Sequence, residues 1–105
     1  MKKKTFIIAE LSANHNGDLK IALDTVRAAK RAGADAVKLQ TYTADTLTIN
    51  CKNDYFKINH GTAWDGEYLF DLYKRAHTPW EWHPEIFKEE RREENVVVYC
   101  GNLFV

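Results

Sequence analysis

Three side chains in the first forty residues are of types that act on a polar substrate: Glu10, Lys38 and Gln40. A carboxylate can accept or return a proton, an ammonium can meet an anion or a developing alkoxide, and a primary amide can orient a polar group by hydrogen bonds. Glu10 closes a short apolar run, Phe6-Ile7-Ile8-Ala9, and Lys38 and Gln40 alternate with Val37 and Leu39 in the segment AVKLQT, residues 36–41. Polar residues alternating into a sheet that helices cover are costly unless that face lines a site. If the two segments are adjacent parallel strands, all three side chains converge on one side of the sheet at its carboxyl end. That edge is where α/β proteins place their chemistry.

The elements that must hold them follow from the pattern of apolar residues. Residues 5–10 read as a buried strand of a parallel sheet, with Phe6, Ile8 and Glu10 on one face and Ile7 and Ala9 on the other. An Asn16-Gly17 turn and a capping Asp18 lead into a helix over residues 19–32. Its apolar stripe is Leu19, Ala22, Leu23, Val26 and Ala29, and Gly33 supplies a left-handed cap. Strand, helix and strand in so short a span make a βαβ unit with parallel strands.

From Tyr42 to Gly66 the pattern dissolves into a long polar loop whose Tyr55, Phe56 and Trp64 suggest that it packs onto something. A helix over 67–77 is predicted next, broken by Thr78-Pro79, and another over 80–94 with Trp82, Ile86 and Phe87 as its apolar side. The KEERREE run, residues 88–94, reads as a solvated face, Asn95 as a cap, and residues 96–99 as a third buried strand. The chain is therefore α/β. Three parallel strands with two covering helices leave an open edge, so the fold reads as part of something larger, and a closed barrel would give Lys38 and Gln40 an interior to face.

Composition narrows the function. Lysine plus arginine equals aspartate plus glutamate at 15 each, which leaves no bulk field for nucleic acid or an anionic membrane. The opening MKKKTFIIAE is too short in its apolar part for a signal peptide, and no stretch approaches a membrane span, so a cytoplasmic location is the expectation. Cys51 and Cys100 form no paired spacing. His15, His60, His77 and His83 share no spacing that would pre-form a zinc site and read as non-ligands. Trp80, Trp82 and Tyr73 read as packing residues, the triple-lysine start as solvated, and no glycine-rich phosphate loop is present.

Three blocks, IAELSANHNGDL, AAKRAGADAVKLQTY and LYKRAHTPWEWHPEIF, occur in an order that resembles the amino-terminal part of the sialic acid synthase family. The third block is most similar to the pseudaminic acid synthase branch, with the neuraminic (N-acetylneuraminate) branch as the alternative. The resemblance implies a (β/α)8 TIM barrel enzyme that condenses phosphoenolpyruvate with an open-chain acetamido sugar and releases phosphate, with a divalent metal, Mn or Mg. A full barrel needs roughly 250 residues, so the resemblance implies a truncated barrel comprising the first three parallel strands, residues 1–99, with a divergent tail over 100–105. It assigns Glu10 and Lys38 to catalysis and Gln40, Asn14, Asn16 and Thr41 to substrate binding. Asn16-Gly17 suits a plain turn equally well. The metal ligands are expected outside this chain, and the chain is expected to be a homo-oligomer. A non-catalytic remnant and a small βαβ binding module that folds alone are the competing readings.

Overall fold

The computed structural model describes residues 3–92 and the backbone of 97–100. It falls into two compact units, residues up to Thr41 together with those from Thr78 onward, and Tyr42–His77.

The first unit is a parallel sheet backed by helices. Strands β1 (Ile8–Glu10), β2 (Ala36–Leu39) and β3 (Val97–Cys100) lie in that order, all parallel. This is the order and direction that the crossover rule predicts. The register pairs Glu10 with Lys38 and Ala9 with Val37. The first strand enters the sheet through Asp35, whose carboxylate accepts the Ile7 N–H at 2.9 Å while the Asp35 N–H returns to the Ile7 carbonyl at 2.9 Å. The Ile7 N–H, with the nearby Lys4 ammonium, holds the Asp35 carboxyl below its ordinary pKa.

Helix α1 (Leu19–Arg31) matches its sequence signals closely. Asp18 caps it by accepting the Lys20 N–H at 2.8 Å, and Gly33, at a φ of +93°, turns the chain away from its end. Ala22 and Val26 are buried, and Leu19, Leu23 and Ala29 pack against the core cluster of Leu11, Val26, Val37, Leu39 and Ile86. Because Val37 and Leu39 share the helix-facing side of β2, Lys38 lies on the opposite face. Replacing Asp18 with alanine is expected to cost about 1 kcal/mol, with asparagine nearly neutral. Urea unfolding followed by circular dichroism reads both.

The second helix of this unit is shorter than the sequence predicts. Trp80–Trp82 form a single 3-10 turn that runs into α4 (His83–Arg92), numbered after two helices of the other unit. Pro79 cannot donate a backbone hydrogen bond, which suits the mouth of a helix. Ile86 is fully buried and Trp82 packs on the core, but Phe87 is exposed, so the apolar side is narrower than expected. Two other expectations fail here. Trp80 is 66% exposed and is no core residue. Glu89, expected on a solvated face, is buried and accepts from the Arg27 guanidinium of α1, with Nη2 to Oε2 at 3.0 Å and Nε bonded to Oε1. Helical spacing puts Glu89 three residues after Ile86 and on the same side, which is why a charge sits there only with a partner. Glu93 and Glu94, the Asn95 cap, Val96 and the tail from Gly101 lie outside the described residues.

The first strand also departs from the reading of a fully buried run. Phe6, Ile7 and Ile8 are each about half exposed. In the described sheet β1 is an edge strand, and Ile8 shares the face of Glu10, away from the helices.

The second unit gives order to residues 42–66, read as a loop, and contains the helix predicted over 67–77. It contains α2 (Ala44–Leu47), a 3-10 turn at Asp54–Phe56 and α3 (Leu69–Ala76). An isolated antiparallel bridge joins Lys57 to Tyr68, and the Ile58 N–H donates to the Glu67 carbonyl at 2.8 Å. Asp65 accepts from the N–H groups of Gly61 and Thr62 at 3.0 Å, and the Thr62 bond leads in holding its carboxyl below the ordinary range. Tyr42 is buried edge-on to Tyr73 at 5.8 Å. Tyr55 and Trp64, expected to pack, are exposed, Tyr55 almost completely.

Candidate functional site

The carboxyl edge of the sheet brings two of the expected residues into direct contact. Lys38 Nζ donates to Glu10 Oε2 at 2.7 Å, from neighbouring strands at the same level of the register. Both side chains are about two-fifths exposed, so the pair remains open to a solute. The other Glu10 oxygen, Oε1, accepts the Ser12 N–H at 3.1 Å, and Ser12 adopts a positive φ of 50° to deliver it. A serine held in the left-handed region stores local strain of the kind found at functional loops. Just past Glu10 the Leu11 N–H donates to the Lys38 carbonyl at 3.0 Å, so the backbones on either side of the ion pair are tied together.

Gln40 follows β2 and is half-buried. Its carbonyl accepts the Thr78 N–H at 2.7 Å, so its backbone fixes the chain where it re-enters this unit. Asn14 and Asn16 are exposed in the loop after β1, which is built of successive turns. The Asn14 N–H donates to the Leu11 carbonyl at 3.1 Å, the Asn16 N–H to the Ala13 carbonyl at 3.1 Å and the Asp18 N–H to the His15 carbonyl at 3.0 Å. Asn16, at a φ of +50°, takes the left-handed conformation that asparagine tolerates better than most residues.

Thr41, expected to contact substrate, is enclosed in this structure. It is buried, with Oγ1 2.8 Å from His83 Nε2. A hydroxyl removed from water needs such a partner, and His83 supplies it. His83 is itself enclosed between the rings of Trp80 at 5.0 Å and Phe87 at 5.7 Å, and burial lowers its pKa. His15, the second buried imidazole, lies edge-on to Trp82 at 4.9 Å. Sequence reading set these histidines aside as non-ligands without finding their places. The spacing of Trp80, His83 and Phe87, three and four apart, was the available signal for one side of a helix.

Among the described residues, no group of three or more His, Cys, Asp or Glu side chains could hold a metal ion. The divalent ion that the family resemblance implies finds no ligand set in them. No helix among the described residues is long and apolar enough to cross a membrane.

A parallel βαβ sheet with a lysine and a carboxylate paired at its carboxyl edge defines an α/β protein with a polar site at its strand ends. Residues 25–102 match the NeuB family, and the chain belongs to that family. It is 55% identical over 91 residues to the pseudaminic acid synthase of Campylobacter jejuni, which covers 87% of this chain and 26% of the relative. It is 67% identical over 56 residues to the N,N'-diacetyllegionaminic acid synthase of Legionella pneumophila, covering 51% of this chain and 16% of that protein. The crystal structure of the N-acetylneuraminic acid synthetase of Leptospira borgpetersenii superposes with a TM-score of 0.68 at 22% identity, over 96% of this chain and 30% of that one. This last likeness concerns the fold alone. The chain spans about a quarter of the length of the curated relatives it matches.

Proposed function

We propose that this chain supplies the first three strands of a (β/α)8 barrel synthase of the pseudaminic acid type, acting in nonulosonic acid biosynthesis. The substrates are phosphoenolpyruvate and an open-chain acetamido sugar. The observation that carries the reading is the Glu10–Lys38 pair at the carboxyl edge, in a chain 55% identical to a pseudaminic acid synthase over 91 residues. In the proposed reaction the enol carbon of phosphoenolpyruvate attacks the aldehyde carbon of the sugar. Water adds to the resulting oxocarbenium centre, and phosphate leaves with cleavage of its carbon–oxygen bond.

Each residue has a task that its position allows. Lys38 meets the negative charge of phosphoenolpyruvate or of the alkoxide that forms as the aldehyde is attacked, and a water-poor barrel interior strengthens that attraction. Glu10 restrains the Lys38 ammonium and lies within reach of a sugar hydroxyl, where it can move a proton. Gln40 orients the sugar, and Asn14 and Asn16 supply amides from the loop after β1.

A chimera tests the reading directly. Residues 6–99 are exchanged for the matching quarter of the Campylobacter jejuni relative, so that the remaining strands close the barrel. The chimera is expected to release phosphate from phosphoenolpyruvate only when the acceptor sugar is present. A folded chimera of the parent's oligomeric state that releases none would sink the proposal.

A further inference from the structure

The loop after β1 holds the one Asn-Gly pair of the chain, Asn16-Gly17, beside an imidazole whose place is fixed by packing. Asn16 and Gly17 are both exposed, and the Gly17 N–H donates to His15 Nδ1 at 3.0 Å. Nδ1 therefore presents its lone pair to the amide proton, as in the neutral ring protonated at Nε2. The ring itself is buried and lies edge-on to Trp82 at 4.9 Å, so it does not drift from this contact as a free side chain would.

We infer that Asn16 is a self-modification site, at which His15 acts as the general base for deamidation through a cyclic imide. Cyclisation requires the Gly17 amide nitrogen to lose its proton and attack Cγ of Asn16. A base within about 2.6–3.2 Å of the proton-bearing atom is placed to take it, and His15 Nδ1 is so placed. The new nitrogen–carbon bond closes a five-membered succinimide. The bond from Cγ to the side-chain nitrogen breaks, and the proton held by the imidazole leaves with that nitrogen as ammonia. Water then opens the imide at either carbonyl, giving aspartate or isoaspartate at position 16. One amide and one water become one acid and one ammonia, with no redox change. Glycine at position 17 adds no side chain to obstruct the approach, and its φ of +72° is one that glycine adopts without penalty.

The product carries a new negative charge in the loop that follows β1, and the isoaspartate form lengthens the backbone there by one atom. The chemistry needs this loop and the packing of His15 on Trp82, not a closed barrel, and it consumes the Asn16 amide that the synthase reading gives to the substrate.

The experiment compares the folded chain with its own tryptic peptide Thr5–Lys20, which contains the same residues without the packed ring. Both are incubated at neutral pH, and Asn16, aspartate and isoaspartate are resolved by chromatography with mass spectrometry. Conversion at Asn16 is expected to be roughly tenfold or more faster in the folded chain, since a held general base commonly contributes that much or more. A rate in the folded chain equal to or below that of the peptide overturns the proposal. His15→Gln, checked for fold by circular dichroism, should return the folded chain to the peptide's rate. A folded variant that converts as fast as the original overturns the role of His15, and if the variant does not fold, the comparison of wild-type chain with peptide decides.

Discussion

Lys38→Met, placed in the barrel completed by the Campylobacter jejuni relative, is expected to lower kcat/KM for phosphoenolpyruvate by roughly 100- to 1000-fold, the usual loss when one charge-stabilising donor is removed. Methionine keeps the length of the stem and deletes the ammonium. The fold should barely register the change, because the Glu10–Lys38 pair is partly exposed at both ends and such pairs add little to stability. The two substrates should respond differently. If the ammonium meets the anion, KM for phosphoenolpyruvate rises more than KM for the sugar. Glu10→Gln is the companion: it keeps shape and hydrogen-bonding capacity while removing the charge and the proton-accepting ability, so kcat should fall with KM little altered. Steady-state kinetics on both variants read these outcomes, and parental constants for Lys38→Met would remove it from the site.

The candidate site was legible where strand alternation and chain order suffice to bring side chains together. Glu10 at the end of an apolar run and Lys38 alternating with Val37 and Leu39 predict a meeting on one face, and the parallel register brings them to 2.7 Å. The burial of Thr41 was not legible, because two residues past the end of β2 alternation no longer dictates which way a side chain turns. Its orientation depends on His83, 42 positions away in sequence. Glu89 was hidden for a related reason. In KEERREE the density of charge masks the spacing that puts Glu89 on the side of Ile86, and the partner that lets it be buried, Arg27, comes from another helix. The segment 42–66 misled in the opposite direction, since composition marked it as a loop while its order rests on backbone pairing such as that of Ile58 with Glu67; the helix read over 67–77 is present as α3. Short-range pattern thus yielded the elements and the strand-borne pairing of Glu10 with Lys38. Contacts between elements distant in sequence supplied the rest.

Ile86→Ala is expected to be the most destabilising single truncation in α4, and its neighbour Phe87 makes the test discriminating. The two are adjacent in sequence, both large and apolar, and equally good candidates for the core when the helix is read from its sequence. In the structure Ile86 is fully enclosed by the cluster that includes Val26, Val37 and Leu39, whereas Phe87 is 39% exposed. Cutting isoleucine back to alanine removes buried methylene and methyl groups and leaves a cavity that the rigid sheet beneath cannot fill, at a cost of about 2–5 kcal/mol. Against a total stability on the order of 5–15 kcal/mol for a domain, that is a large fraction. For a small protein with a urea slope of about 1–3 kcal/mol per molar, the unfolding midpoint should fall by roughly 1–2 M. Phe87→Ala opens no enclosed cavity and loses contact mainly with the His83 ring, so its midpoint should move by much less. Urea titrations of the two variants side by side measure the difference directly. Equal shifts would mean that α4 rests on the sheet by a wider face than Ile86 and Trp82 provide, and that Phe87 lies under cover in solution.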